Sequence, residues 1–296
     1  MSSRPVIVGL GEMLWDIYLD AAHFGGAPTN FACHAAALGA EAWLVSAGGA
    51  DAAGEAALRE LARHGVEASM IQTHPGRPTG TVLVTLDSRG QPRYEISAGA
   101  AWDEMTWSDG LEVLATRCDA ACFGTLGQRS AASRTVIRRF LESMRSEALR
   151  IFDVNLRQQY HDATLVRESL EISNVLKLND EELPVVAGYS GCRSRDREAL
   201  REISHGYELR LVALTRGARG SILIAGAVEH ECAPPPVVVV DTVGAGDAFT
   251  AALTLGALRG LPLEVTHRHA AAVAAFVCSV TGATPDLPER LLRHDS

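Results

Sequence analysis

The stretch VVVVDTVGAGDAFTAALTLGAL, residues 237–258, runs from four valines through a glycine-rich loop into an alanine-rich segment of helical pattern. It reads as a buried strand meeting a helix, the elementary joint of an α/β fold, with Asp247 at the junction. Gly244-Ala245-Gly246 lets backbone N–H groups at a helix start point outward together, and the helix dipole adds partial positive charge there. Such a loop can stabilise the charge on a transferring phosphoryl group. An acid in the first turn can then take the proton from an attacking hydroxyl. An aspartate at this position also serves as a plain helix cap, although capping does not explain the glycines before it. Read alone, Asp247 is a cap or a base.

Outward from that joint, apolar strand-like runs alternate with helical patterns for most of the chain. Strands read at PVIVGLG, AWLVSAG, ACFGTLG, RIFDVN, VLKLN, RLVALTRG and SILIAG. Between them lie amphipathic segments such as AGEAALRELARHG, with Asp51 placed to cap its start and Gly65 to end it. Continuous apolar strands bounded by such helices predict a mostly parallel sheet covered on both faces. TGTVLVTLDSRGQPRYEISAGAAW, residues 79–102, breaks the rhythm: it alternates with period two on either side of a turn at Asp87-Ser88-Arg89-Gly90, which is a hairpin pattern. With MLWDIYLDAA near the N-terminus it could form a small antiparallel sheet standing off the main domain, or be an ordinary edge hairpin.

Composition narrows the chemistry. The chain has 296 residues, 47% hydrophobic, and no apolar run near the roughly 18 residues of a spanning helix. A strand-like run follows the first residues directly, so a signal peptide is not expected, and six cysteines without a C-x-x-C pair read as reduced thiols of a cytoplasmic protein. The net charge of −9 argues against a nucleic-acid surface. Lys177 is the sole lysine, which excludes mechanisms built on a phosphate-binding lysine elsewhere in the chain. There is no G-x-x-x-x-G-K-[ST] loop, no H-R-D and no D-F-G.

Several other stretches offer ligand-facing polar groups, each with a plainer alternative. The G-x-G of GLGEML lacks a third glycine, and Met13-Leu14-Trp15 is bulky where a pyrophosphate would approach, so a dinucleotide reading is rejected. Asp16 lies in an apolar run, where acids seldom sit unless paired or bound. In FGGAPTNFACHAAALG, Asn30 is polar near the start of a buried helix: a cap, or a contact to a sugar hydroxyl. IFDVNLRQQY sets Asp153, Asn155 and Arg157 at alternate positions just past a strand, which period two places on one face. Arg157 there is a salt-bridge partner or a phosphate holder. In LKLNDEE, Asn179 and Glu182 have the spacing of a capping box, and equally of oxygens that organise Mg²⁺ through water. LTRGARGS is a glycine-rich strand end or only a tight hairpin. The coincidence of polar chemistry at successive strand ends favours a ligand site, where open α/β sheets bind.

DTVGAGDAF resembles the signature of the ribokinase-like, PfkB-type carbohydrate kinases, and GGAPTNFACHAAALG resembles their N-terminal signature. D-x-N-x-R, N-x-x-E and T-R-G-x-x-G follow between them in the family's order, so the resemblance spans essentially the whole chain. It implies a single ribokinase-like kinase domain over residues 1–296: a three-layer α/β/α fold with a mostly parallel central sheet and a small β-sheet lid formed by about 12–25 and 79–102. It implies Asp247 as catalytic base, Gly244, Ala245 and Gly246 as an anion hole, and Arg157 facing the transferred phosphate. Asp16, Gly26 and Asn30 match sugar-binding positions, and Trp102 lies in GAAWD where fructokinases carry lid residues that contact sugar. Thr215, Gly217 and Gly220, with Gly246, match the ATP-binding positions. Asn179 and Glu182 match the pair that tunes Mg²⁺. A monovalent cation such as K⁺ near Asp241 and SVTGATP is implied by the resemblance alone. Where the family often has V-G-D-D-x-x-G this chain reads Gly48 to Gly54 with one acid, which puts local helix capping in doubt.

G-E-x-L-W-D, G-G-A-P-x-N and D-x-N-L-R most resemble bacterial fructokinases, which implies ATP-dependent phosphorylation of D-fructose at its 6-hydroxyl. Alternatives are 2-keto-3-deoxygluconate kinase, ribokinase and nucleoside kinase. A sugar or nucleotide sensor that kept the fold without catalysis, and a structural module that dimerises through its hairpin, are rivals from other classes. The expected partners are a sugar and ATP, with no nucleic acid and no membrane. An exposed lid sheet would suit a homodimer.

Overall fold

The computed structural model describes residues 4–86 and 92–292. The chain begins with β1 (Val6–Leu10), then the short strands β2 (Leu14–Ile17) and β3 (Ala22–Gly25). Next come α1 (Ala27–Ala37), β4 (Glu41–Gly49), α2 (Ala52–Arg63), β5 (Ile71–His74), β6 (Gly80–Leu86) and β7 (Pro92–Ile96). Strand and helix then alternate through α3 (Asp109–Arg117), β8 (Ala120–Phe123), α4 (Ala131–Ser143), β9 (Leu149–Asp153), α5 (Ala163–Ile172) and β10 (Val175–Asn179). The remainder is α6 (Glu182–Ser190), α7 (Asp196–Gly206), β11 (Leu211–Thr215), β12 (Ser221–Ala225), β13 (Val228–Cys232), α8 (Ala245–Leu258) and α9 (Leu263–Cys278).

Nine strands form one sheet in the order β13-β12-β11-β10-β9-β8-β1-β4-β5. From β5 to β11 every pair is parallel, and the two pairs at the edge, β11 with β12 and β12 with β13, are antiparallel. Period two in the strands divides the side chains between two helical layers. Val8, Leu10, Leu176, Leu178, Val212 and Leu214 pack against α3 to α7. Their neighbours Ile7, Val175, Leu211 and Ala213 pack against α1, α8 and α9. The result is the expected three-layer α/β/α domain with both sheet faces buried.

The second sheet has the order β3-β2-β6-β7 and forms the lid. It departs from expectation in one pair: β2 and β6 run parallel, while the outer pairs are antiparallel. β2 follows β1 and β6 follows β5, two strands of the parallel sheet that end on one edge, so both lid strands leave in the same direction. The expected turn at 87–90 lies outside the described residues. Leu14, Val82, Val84 and Ile96 of the lid pack with Trp102 and Leu126, fastening it to the main domain.

Two other expectations change. The four valines are not a buried strand: Val238 is 83% exposed, and 237–240 belong to no strand. Pro234-Pro235-Pro236 precede them, and three successive residues without an N–H cannot extend a sheet ladder. Asp51 alone does the work doubted for it. It accepts from Gly54 N at 2.8 Å at the start of α2, and also from Thr79 N (2.8 Å) and Thr79 Oγ1 (2.6 Å). One acid thus caps the helix and ties down the entry to the lid.

Candidate active site

Parallel strands end on one edge of the sheet, and the polar groups picked out along the chain converge there. Asp153 ends β9 and sits beside Lys177 in the parallel register of β9 and β10. Lys177 Nζ donates to Asp153 Oδ1 at 3.0 Å, and Thr250 Oγ1, from α8, donates to Asp153 Oδ2 at 2.8 Å. Both members of the Lys177–Asp153 pair are buried. Burial works against the Lys177 charge, but Asp153, Glu182 and Asp247 outweigh it and hold the ammonium above its ordinary range. A Cβ at Gly246 would stand 2.9 Å from Lys177 Nζ, so a side chain there would displace the ammonium. Lys177 thus lies directly under the glycine loop. The sequence carried one signal for it, a solitary lysine inside an apolar strand.

Gly244 precedes α8 in the left-handed region at φ 78, and a Cβ there would meet Ala283 O at 2.2 Å. Its lack of a side chain lets the loop turn tightly into the helix. Within the expected anion hole, Ala245 N–H turns back toward Thr242 O at 3.3 Å. Asp247, in the first turn, caps nothing. Its Oδ2 accepts from Asn30 Nδ2 at 2.8 Å instead. Burial and then the charge of Asp153 push the Asp247 carboxyl up to about 7, against the opposing pull of Lys177, Asn30 and Arg157. That is the range in which a carboxylate accepts a proton usefully near neutrality.

Asn30 is no cap either. Gly26 caps α1, and Asn30 lies one turn in with its Oδ1 buried and without a hydrogen-bond partner. Gly25, beside it, opens space toward the lid: a Cβ there would stand 3.5 Å from Asp16 Oδ2 and 3.6 Å from Asn30 Oδ1. Asp16 projects from β2 and burial raises it to about 6, opposed by His23 and Arg157. Gly26 is held against Glu12, whose carbonyl oxygen would stand 2.5 Å from a Cβ at that position. Glu12, which the sequence reading passed over, is buried with Oε2 unpartnered and is pushed up to about 7, first by burial.

The structure revises three expectations here. β9 ends at Asp153 and Asn155 takes a left-handed φ of 44, so period two stops and the three residues do not share a face. Arg157 is carried into solvent, where it donates to Leu156 O at 3.4 Å, while its charge still reaches Glu12, Asp16 and Asp247. Trp102 is fully buried between lid and domain and offers no surface to the cleft. Its ring instead carries the Arg129 guanidinium at 3.9 Å, and Arg129 pairs with Asp103 at 2.7 Å.

Asn179 and Glu182 form the capping box. Asn179 Oδ1 accepts from Glu182 N at 2.8 Å, and Glu182 Oε2 accepts from Asn179 N at 2.9 Å. Glu182 Oε1 takes Leu156 N at 3.1 Å. Asp241 likewise spends Oδ1 on Val243 N (3.0 Å) and Oδ2 on Gly282 N (3.1 Å), joining two loops. Among the described residues no group of three or more His, Cys, Asp or Glu could hold a metal. Asn179 Oδ1 and both Glu182 carboxylate oxygens accept from backbone N–H groups, so a magnesium ion borne on bound phosphates would be met from this side through water.

On the α8–α9 side, a cavity of about 530 Å³ is lined by Thr215, Gly217, Gly220, Pro235, Gly246 and Phe249. It is an apolar slot that opens at the glycine loop, of a size that suits a small ligand. Gly220 closes its floor at φ 80, with Cys232 O only 2.1 Å from a Cβ placed there.

The pattern of the pfkB family carbohydrate kinases matches residues 21–290. The chain belongs to that family. It is a carbohydrate kinase, a phosphotransferase, with the ribokinase-like fold. The fructokinase of Escherichia coli is 30% identical over 244 residues, covering 78% of this chain and 76% of that protein. The crystal structure of the uncharacterized sugar kinase PH1459 of Pyrococcus horikoshii superposes with a TM-score of 0.81 at 27% identity, over 94% of this chain and 93% of its own. A fructokinase from Xylella fastidiosa shares the fold, with a TM-score of 0.86 at 22% identity over 96% and 95% of the two chains. No helix among the described residues is long and apolar enough to cross a membrane.

Proposed function

We propose that this carbohydrate kinase transfers the γ-phosphoryl group of ATP to the 6-hydroxyl of D-fructose. The observation that carries the proposal is the pair Asp16 and Asn30 around the side-chain-free position Gly25, with Asp247 joined to that pair by its hydrogen bond from Asn30. A polyhydroxy ligand needs such a set: acceptors for its hydroxyl protons, and one acid poised to take the proton of the reacting hydroxyl. Relatives at 28–30% identity carry the name fructokinase, and PH1459 has been crystallised in complex with ATP, which supports both substrates.

In this reading the sugar lies under the lid with hydroxyls on Asp16 Oδ2 and Asn30 Oδ1, where the sheet excludes water that would otherwise consume ATP. ATP occupies the slot beside Gly217 and Gly220 and extends toward the glycine loop. Asp247 accepts the proton of the 6-hydroxyl as that oxygen bonds to the γ-phosphorus. The bond to the β–γ bridging oxygen breaks and ADP carries the electrons away. Lys177 and Arg157 supply fixed positive charge to the transferring group. Magnesium, held on the phosphates and reached through water from the Asn179–Glu182 side, would neutralise phosphate charge.

ADP release measured against fructose, ribose, 2-keto-3-deoxygluconate and adenosine tests the assignment. The highest kcat/KM is expected with fructose. A tenfold preference for any of the others would replace fructose as the acceptor.

A further inference from the structure

The loop Thr215 to Gly220 has a cavity on each side of it. Thr215, Gly217 and Gly220 line the slot described above. Arg216 and Arg219, interleaved with them, line a second cavity of about 1010 Å³ on the opposite face of the sheet. Its apolar wall is Leu183, Ala187 and Ala199 of α6 and α7, with Leu214 and Ile222. The segment joining α6 to α7 forms its rim.

Five arginines, at 193, 195, 197, 216 and 219, line this cavity against two aspartates, Asp180 and Asp196, in a chain whose net charge is −9. Three of the five have acidic partners. Arg197 pairs with Glu229 at 2.9 Å and also with Glu231, Arg216 pairs with Glu231 at 2.6 Å, and Arg219 pairs with Asp180. Arg193 and Arg195 make no salt bridge with a described residue. Glu202 accepts from the backbone N–H groups of Arg193 and Ser194 at 3.1 Å each, which shapes the rim. Arg216 Nε is buried without a hydrogen-bond partner. A buried guanidinium donor left unmet is costly, and an acceptor arriving in the cavity would relieve it. Guanidinium groups suit phosphate because their planar donors match its oxygens in pairs.

We propose that this cavity is a second anion site, for a phosphorylated small molecule carrying at least two negative charges, and that its occupancy is felt at the nucleotide slot. The coupling has a physical route. An anion would compete with Asp180 for Arg219 and with Glu231 for Arg216, and both arginines belong to the loop whose glycines line the slot. Only the coupling rests on ATP filling that slot; anion binding does not.

The test is calorimetric titration of the full chain with pyrophosphate, fructose 6-phosphate and inorganic phosphate, each with and without saturating AMP-PNP and magnesium. Pyrophosphate is expected to bind in the presence of AMP-PNP and to weaken at least tenfold in the Arg193→Gln/Arg195→Gln variant. Turnover of that variant without added anion is expected to be unchanged. In the wild type, pyrophosphate is expected to shift the KM for ATP about fivefold or more, the usual size of such coupling. Fructose 6-phosphate binding that is tighter than that of pyrophosphate and is lost in the double variant would identify the reaction's product as the source of the anion; tighter binding of pyrophosphate would point to a free polyphosphate. Loss of pyrophosphate binding on adding AMP-PNP, or undiminished binding by the double variant, would overturn the site. A chain inactive on every sugar would sink the kinase assignment while the binding result still stood.

Discussion

Asn30 Nδ2 donates to Asp247 Oδ2 at 2.8 Å, joining the first turns of α1 and α8 across 217 positions of sequence. The bond fixes the acid beside the proposed sugar position, and Asn30 Oδ1 is left buried without a hydrogen-bond partner. It also favours the ionised form of Asp247 against the burial that raises it.

Asn30→Ala removes both functions. A hydrogen bond to a charged group contributes about 1.5–3 kcal/mol. The sugar KM is therefore expected to rise by roughly 10- to 100-fold, with the KM for ATP nearly unchanged. Steady-state kinetics with each substrate varied in turn checks the split.

The pH dependence follows from Asp247 at about 7 rather than 3.8. A general base must be ionised, so kcat/KM is expected to fall as pH drops below about 7. Asp153→Asn removes the neighbouring charge that helps raise Asp247, and should move that limb to lower pH. Stability runs in the opposite sense. The folded state holds this proton more tightly than the unfolded chain, so Asp247 costs stability as pH rises from about 4 to about 7. Asp247→Asn is expected to raise Tm near pH 8 and to have little effect near pH 4. A pH–rate profile and paired thermal melts read the two effects.

Gly244→Ala forces a side chain onto a left-handed residue and toward Ala283 O. Strain of that kind costs about 1–3 kcal/mol before the clash is counted. A fall in Tm of several degrees is expected, together with loss of turnover as the loop shifts. Differential scanning calorimetry and the kinase assay measure both.

Arg129 is sandwiched between Trp102 and Tyr160, bonded to Asp103, and donates to Ser97 O at 2.6 Å where the lid returns to the domain. Arg129→Met leaves Asp103 buried and unpaired, a change worth about 3–5 kcal/mol. Arg59→Met, which breaks an exposed 4.0 Å pair with Glu55, should cost under about 1 kcal/mol. Chemical denaturation of the two variants provides the comparison.

Where neighbouring residues determined the outcome, the sequence could be read. Period two in the strands, Gly244 before α8 and the Asn179–Glu182 spacing all describe local geometry, and the layers, the glycine loop and the capping box follow from it. What depended on distant residues could not be read. By resemblance to fructokinase lid residues Trp102 is expected to contact sugar, but it is buried by packing with Leu14 and Leu126. Lys177 drew no role from the sequence because its partner Asp153 and its roof Gly246 are brought to it only by the sheet and α8. The valines at 237–240 had the composition of a strand, yet three prolines and the end of the sheet at β13 leave them no ladder to join.

The central claim is that Asp247 removes the proton of a sugar hydroxyl during phosphoryl transfer. Fructose-dependent ADP release by Asp247→Asn, compared with the wild type at saturating ATP, tests it most directly. A general base contributes on the order of 10²–10⁴-fold. The variant is expected to lose kcat by about that factor with its sugar KM within a few-fold of normal. Turnover within a few-fold of the wild type would contradict the account, because Asp247 would then be only a buried partner of Asn30.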